Sequence, residues 1–219
     1  MYFGDHPLKN NWGLHLEAQL RREPLISRWE QLLVRTGVNY SLGQAWMGTL
    51  AYTYVRAYPP AGSTQIAGVE PRHSINQEIK QSQRVAGFTL ENNVRLQQTY
   101  AGDRAYGQKR LTWKFLQRVH YRLGAEITAP SWFRSMPNYY AVYDEVIVGF
   151  GSHSGTNALK QDRTYGAFGW KLNQNTRLEL GYMYQYRPVA NGIIGEHNNA
   201  LQISILSDAP IKHVFGLHR

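Results

Sequence analysis

The feature that most constrains the fold of this chain is a two-residue alternation of apolar and polar side chains. In WGLHLEAQLRR, Trp12, Leu14, Leu16, Ala18 and Leu20 occupy every second position, and polar or small residues stand between them. Successive side chains of a β-strand point to opposite faces, so a strand would have one apolar and one polar face, whereas a helix would mix the two sets. The segment therefore predicts a strand.

The same alternation returns in RLTWKFLQRVHYRL and TRLELGYMYQY, and in weaker form at 29–41, 45–56, 73–83, 88–100, 139–150, 162–172 and 197–206. Most of these ten segments exceed the roughly five or six residues usual in soluble proteins, and suit the roughly 9–11 residues of a membrane-crossing strand. We predict an all-β fold, a single up-and-down antiparallel transmembrane β-barrel of about ten strands, with twelve as the alternative. The chain is one domain, 1–219, with 1–10 and 207–219 as terminal extensions.

The connections between these segments also have the lengths of an up-and-down barrel. Short connections at 41–44, 84–87 and 172–175 alternate with longer ones at 56–72, 101–108, 151–161 and 188–196. Outer-membrane barrels have short periplasmic turns and longer external loops. The connection at 23–28 is short for an external loop, and the one at 128–138 is long for a periplasmic turn.

Composition excludes several classes of protein. Mean hydropathy is −0.48, and no stretch approaches the roughly 18 consecutive apolar residues of a transmembrane helix, which excludes a helical membrane protein. A transmembrane barrel remains possible, because only every second residue of its strands meets lipid. The chain has no cysteine, which excludes a disulfide scaffold and a cysteine-ligated metal site. The net charge of +9 is spread over alternate strand positions, which argues against nucleic acid and favours acidic lipid or small anions as partners.

The polar face of the strands carries the charge and is the candidate lining of a narrow lumen. Its members are Glu17, Arg21, Arg35, Glu78, Lys80, Glu91, Arg95, Arg110, Lys114, Arg118, Arg122, Glu145, Arg163, Lys171, Arg177 and Glu179. Basic residues outnumber acidic ones. A paired network of these groups would close the lumen, whereas an unpaired surplus in water would favour anions.

The opposite face is apolar in its middle and aromatic near its ends. The candidate aromatic girdles at the membrane interfaces are Trp12, Trp29, Trp46, Trp113, Tyr121, Trp170, Tyr182 and Tyr186. One alternative is the core of a soluble sandwich, which would have to be very thick. Another is a soluble lipocalin-like barrel, in which the apolar face lines the inside and the charged face meets water.

Residue pairs suited to catalysis or metal binding are few. His73 and Ser74 are adjacent, so on a strand they point to opposite faces and cannot act together. Ser152, His153 and Ser154 are expected in a loop, where these residue types are ordinary. No histidine pair has the spacing of a metal site. We predict no enzyme, no catalytic residue, no cofactor and no metal.

Two histidines and one glutamate are also expected to face the interior. His15 and His120 are expected to face the lumen and to form hydrogen bonds within the charged network. Glu145 is expected to face inward. Its neighbour Asp144 then points toward lipid, unless a β-bulge re-aims it.

The sequence resembles a known family along nearly its whole length. The landmarks are WGLHLEAQLRR, PRHSINQEI, ENNVRLQQTY, RLTWKFLQRVHYRL, YDEVIVGFG, QDRTYGAFGWKL, RLELGYMYQYRP and HNNALQISI. Their order and spacing resemble an uncharacterised bacterial family of outer-membrane β-barrels, classed as a domain of unknown function. The resemblance implies a fold and the outer membrane as location, but no chemistry. Two features depart from the family pattern: no leader is recognisable, and HVFGLHR does not end in an aromatic residue.

Three hypotheses for function follow. The first is an outer-membrane barrel that is either a narrow, anion-preferring pore or a closed structural barrel. The second is a binding or assembly module of an outer-membrane complex, acting through external loops or subunit contacts. The third is a soluble lipocalin-like barrel that binds an apolar ligand. The expected partners are outer-membrane lipid and lipopolysaccharide, small anions, and protein partners or further copies of the chain.

Overall fold

The structure, a computed structural model, describes residues 1–23, 28–58, 70–103, 110–129, 138–155, 157–188 and 195–210, without the side chains of Glu23, Arg28, Trp29, Glu70 and Asp103. The strands are β1 (Tyr2–Pro7), β2 (Trp12–Glu23), β3 (Arg28–Ser41), β4 (Trp46–Ala57), β5 (Glu70–Val85), β6 (Phe88–Asp103), β7 (Thr112–Thr128), β8 (Tyr139–Phe150), β9 (Leu159–Asn173), β10 (Thr176–Pro188) and β11 (Gly195–Ser207). Within these ranges, no helix has the length and apolar character needed to span a membrane.

The strands form one closed barrel in chain order. Each strand pairs antiparallel with the next, and β1 closes the barrel by pairing in parallel with β11, from Tyr2 opposite Ile205 to Gly4 opposite Ser207. Eleven is an odd number, so the first and last strands of an up-and-down chain run in the same direction. Their pairing is therefore parallel, although the prediction was of antiparallel pairs throughout.

Ten of the strands coincide with the ten segments predicted from alternation. Among the described residues the strands number eleven rather than the predicted ten or twelve, because the predicted terminal extension 1–10 contains β1. Six residues are too few to show a recognisable alternation. The other predicted extension lies outside the described residues from 211 onward.

The connections lie at the two ends of the barrel. One end, called the turn end below, carries 8–11, 42–45, 86–87, 129–138 and 174–175. The other, called the loop end, carries 24–27, 58–69, 104–111, 151–158 and 189–194. The turn end includes the tightest connections, in which Gly43 and Gly87 adopt positive φ angles of 86° and 93°. Much of the loop end lies outside the described residues.

The two faces of the barrel wall differ in chemistry. Large apolar side chains are exposed on the outer face, among them Leu50, Ile79, Val94, Leu180 and Leu201. Most inward side chains are polar or charged, and a small apolar cluster of Tyr165, Ala167 and Met183 lies among them. The core of this barrel is therefore mainly a polar one.

Candidate functional site: the charged interior

The interior is the candidate functional site, because alternation along the strands directs their charged residues there. Glu17 of β2, Arg35 of β3, Arg95 of β6, Glu145 of β8 and Glu179 of β10 are all buried. A buried charge is costly unless an opposite charge and hydrogen bonds compensate it. The partners of these residues therefore determine how the interior is held together.

Glu145 is the centre of the largest cluster. The strand register places Arg122 of β7 and Arg163 of β9 directly opposite it. Arg163 donates to Oε2 of Glu145 at 3.0 Å, and Arg122 donates to Oε1 at 3.1 Å. Arg95, two strands away, reaches Oε1 at 3.4 Å. One carboxylate thus faces three guanidinium groups. Even with Glu78, which lies 3.7 Å from Nη1 of Arg95, this cluster carries a surplus of positive charge.

A second cluster joins β2 to β5. Arg35 lies opposite Glu17 in the register, and its Nη1 donates to Oε2 of Glu17 at 2.5 Å. Its Nε donates to the hydroxyl of Thr53 at 2.9 Å. That hydroxyl also accepts a bond from Nδ2 of Asn76 at 2.7 Å. A buried ion pair held by further hydrogen bonds in this way favours one arrangement of the side chains.

The two interior histidines belong to these clusters, which confirms the prediction for His15 and His120. Nδ1 of His15 lies 2.7 Å from Oδ1 of Asp5, and its Nε2 lies 3.7 Å from Oε2 of Glu17. Nδ1 of His120 accepts from Arg95 at 2.9 Å, and its Nε2 lies 2.8 Å from Oε1 of Gln97. Because Nδ1 accepts, the ring proton is on Nε2. His120 is therefore neutral and links Arg95 to Gln97 through hydrogen bonds.

Some contacts join strands that are not neighbours in the wall. Nζ of Lys80 on β5 lies 3.7 Å from Asp5 on β1. Nη1 of Arg177 on β10 donates at 2.6 Å to Glu126 on β7. Asp5 and Glu126 were absent from the predicted lining, the first because β1 was not recognised. These contacts tie together strands four and three positions apart in the wall, near the turn end of the barrel.

Two inward tyrosines bind Glu179, and they too were missed from the sequence. The hydroxyl of Tyr139 donates to Oε1 at 2.9 Å and that of Tyr165 donates to Oε2 at 3.2 Å. Tyr139 lies opposite Gly169 in the register, and a Cβ at Gly169 would overlap its ring. A glycine within the strand was thus a signal that a large side chain of the next strand turns inward over it.

The predicted lumen residues fall into three groups. Glu17, Arg35, Arg95, Glu145 and Glu179 are buried; Arg21, Glu78, Lys80, Arg118, Arg122, Arg163 and Arg177 are partly buried; Glu91, Lys114 and Lys171 are exposed toward strand ends. Arg110 requires a correction. It is exposed and precedes the first residue of β7, so it does not line the wall and water can solvate its charge.

The predicted girdle residues that the structure describes have accessible side chains. Trp12, Trp46, Trp113, Tyr121 and Tyr182 are exposed, and Trp170 and Tyr186 are partly exposed. The side chain of Trp29 lies outside the described part of the chain. Tyr121 and Tyr182 occupy the middle of β7 and β10 rather than the strand ends predicted for a girdle. Their hydroxyl groups there donate to Asn92 and Asn199 on adjacent strands.

The acidic pair of β8 divides between the two faces. Glu145 is buried, whereas Asp144 is exposed and accepts a bond from the hydroxyl of Thr164 at 2.9 Å. The register shift between β8 and β9 falls at Ile147 and Val148 rather than at Asp144. No bulge therefore re-aims Asp144, and it stays on the outer face.

The candidate pairs for catalysis are arranged as follows. His73 is bonded through Nδ1 to the hydroxyl of Tyr52 at 2.6 Å, whereas Ser74 is buried on the opposite face. Oγ of Ser152 lies 3.2 Å from Nδ1 of His153 in an exposed loop. Within the described ranges, no group of three or more His, Asp or Glu side chains could hold a metal ion.

Comparison with known proteins assigns the chain to a family. The family described as "Protein of unknown function (DUF2490)" matches residues 1–195. The chain belongs to this family. The DUF2490 match runs from before β1 to the first residue of β11, so it includes the strands that carry the Glu17, Glu145 and Glu179 clusters. No curated protein and no solved structure matches the chain. A function for this DUF2490 member must therefore be inferred from the barrel itself.

Proposed function

We propose that this chain is an integral β-barrel of the bacterial outer membrane, and that its charged interior closes the lumen. The observation that carries the proposal is the apolar outer face of a closed barrel. It runs over strands on all sides and includes Leu50, Ile79, Val94, Val142, Leu180, Leu201, Ile203 and Ile205. Scattered exposed leucines are normal in soluble proteins, but an extended apolar surface marks contact with lipid or protein.

The orientation of the faces favours this proposal over the lipocalin-like alternative. An apolar-ligand barrel needs its apolar side chains inside. Here Leu201 is 80 % exposed on the outside and Glu145 is 1 % exposed inside. In a bilayer this arrangement costs little free energy, because lipid hydrocarbon contacts the apolar side chains. The charged side chains pair with one another inside the barrel.

Strand length supports a membrane location as well. Strands β2 to β11 have between 12 and 17 residues. A tilted strand crosses the hydrocarbon region in about 9–11 residues. The extra residues extend each strand beyond the hydrocarbon region, where water solvates end residues such as Glu91 and Lys171.

The interior network favours a closed barrel over an open pore. About eight strands give a lumen that side chains fill, whereas porins with 16–18 strands contain a water channel. In this barrel of eleven strands, buried side chains such as Arg35, Arg95 and Glu145 occupy the interior. The contacts of Arg177 with Glu126 and of Lys80 with Asp5 add links between strands that are not neighbours. The narrow anion-preferring pore is the alternative that conductance tests directly. The external loops of the binding-module hypothesis lie largely outside the described residues.

We expect the purified chain, refolded into detergent and then lipid, to migrate faster on a detergent gel before boiling than after. Reconstituted in a planar bilayer, it should give no stepwise current, because buried charged side chains such as Arg35, Arg95 and Glu145 occupy the lumen. The shift in migration is the control for a folded barrel. Anion-selective current steps from samples that show this shift would contradict closure and favour the pore.

A further inference from the structure

A β-bulge in β9 turns Lys160 to the inside of the barrel. Ile147 pairs with Gln161 and Val148 pairs with Leu159, so the register skips Lys160. Gln161 is buried inside, and strict alternation would therefore turn Lys160 outward. Instead, a Cβ placed on the inward-facing Gly149 would overlap Cε of Lys160. Bulges often re-aim a side chain in this way next to functional sites.

The bulge borders a cavity of about 100 Å³ at the loop end. Its lining includes Gln117, Arg118, Gly149, His153, Ser154 and Lys160. A water molecule takes roughly 30 Å³ in the liquid, so the cavity has room for about three waters or one small polyatomic ion. Position 149 has no side chain, and a Cβ there would overlap Lys160 and crowd Oγ of Ser154, so the glycine makes room for both side chains beside the cavity.

The cavity offers hydrogen-bond donors rather than a filled polar network. Nζ of Lys160 donates to the backbone carbonyls of Ser154 and Asn157, and an ammonium group has a third donor. Oγ of Ser154 is buried and has no hydrogen-bond partner within the described residues. A buried hydroxyl without a partner is unfavourable, and a bound acceptor would remove that cost.

Positive charge collects at this rim. Arg118 interacts electrostatically with Arg72, Arg187 and Lys160. Arg187 is paired with Glu196 at 3.5 Å, and both groups are exposed. The Glu145 cluster deeper in the lumen has a central carboxylate, whereas Arg118 and Lys160 face the cavity from two strands. The field at this site therefore favours an anion.

We propose that this cavity is a binding site for a phosphate group or a similar tetrahedral oxyanion. Lysine and arginine commonly bind phosphate, and a serine hydroxyl adds a further hydrogen-bond donor. The cavity lies at the loop end and the buried Glu145 cluster lies deeper in the lumen, so we expect the cavity to hold the ligand rather than pass it through. The inference rests on the proposed function in one respect: the membrane location determines from which side the ligand reaches the cavity.

The test uses the full chain, folded in detergent, and isothermal titration with inorganic phosphate, glycerol phosphate and lipid A micelles at constant ionic strength. We expect saturable binding that Lys160→Met and Arg118→Gln each weaken about tenfold or more, because each removes a charged donor. Gly149→Ala should weaken binding similarly without changing charge. Lys171→Met is the matched control, since it removes the same charge from the turn end of the same strand.

Binding of the two soluble phosphates identifies a solute as the source, and binding of lipid A micelles alone identifies a lipid headgroup. Either result supports the site if Lys160→Met weakens it and Lys171→Met does not. Equal affinity in all four variants, or no binding to the unaltered chain, would overturn the site. The gel shift on boiling, measured on the same samples, reports separately whether the barrel is folded.

Discussion

Replacing Glu145 with glutamine should lower the free energy of unfolding by about 3–5 kcal/mol, the range found when one partner of a buried ion pair is removed. Glu145 is 1 % exposed and receives hydrogen bonds from Arg95, Arg122 and Arg163. Glutamine keeps the shape but removes the negative charge. Three guanidinium groups then lie close together in the interior, and among the described residues only Arg95 keeps a carboxylate neighbour, Glu78 at 3.7 Å.

Equilibrium unfolding in urea, followed by tryptophan fluorescence and by migration on unboiled gels, measures this loss. The matched control is Glu91→Gln, which removes the same charge at an exposed site and should change stability by less than about 0.5 kcal/mol. Adding Arg122→Gln to Glu145→Gln should recover part of the loss, because one fewer charge is left uncompensated. A loss below about 1 kcal/mol for Glu145→Gln would contradict the central role of this carboxylate.

Replacing Leu180 with arginine should cost about 2–4 kcal/mol of folding free energy in a bilayer, the range for a cation at the membrane midplane on a barrel's lipid face. Leu180 is 44 % exposed on the outer face, near the middle of β10. In a water-soluble protein, arginine at such an exposed position would be nearly neutral. The size of the effect therefore reports which solvent covers this face.

The matched control for Leu180→Arg is Leu172→Arg. Leu172 is 58 % exposed and lies one residue before the turn-end terminus of β9. Near the interface the same substitution should cost no more than about 1 kcal/mol. Unfolding of both variants in lipid vesicles measures the difference. Equal and small losses at the two positions would contradict a hydrocarbon environment around β10.

The sequence predicted the strands because alternation is a property of single segments. In β2, β7 and β10, apolar and charged residues separate so cleanly that neighbouring strands are not needed to identify them. The inward direction of Glu17, Arg95 and Glu145 follows from the same parity. β1 escaped prediction because it has six residues and is held by its pairing with β2 and β11.

The partners of the interior charges could not be predicted, because they depend on the register between strands. A shift by one residue would turn Arg122 or Arg163 away from Glu145. The bulge at Lys160 is harder still to predict, since a single extra residue reverses the direction of a side chain without a recognisable local sequence pattern. Gly149 on its own does not indicate which side chain will lie beside it. Its role in making room for Lys160 appears only when β8 and β9 are placed side by side.

Spin labelling in lipid vesicles tests the central claim, that the outer face of the barrel meets hydrocarbon. The chain has no cysteine, so Leu180→Cys and Met183→Cys each create a single labelling site. Met183 is buried on the inner face of the same strand. We predict that dissolved oxygen relaxes the label at 180 strongly while a water-soluble nickel complex does not, and that the label at 183 shows low access to oxygen. High access of the nickel complex to the label at 180 would place that face in water and contradict the membrane barrel.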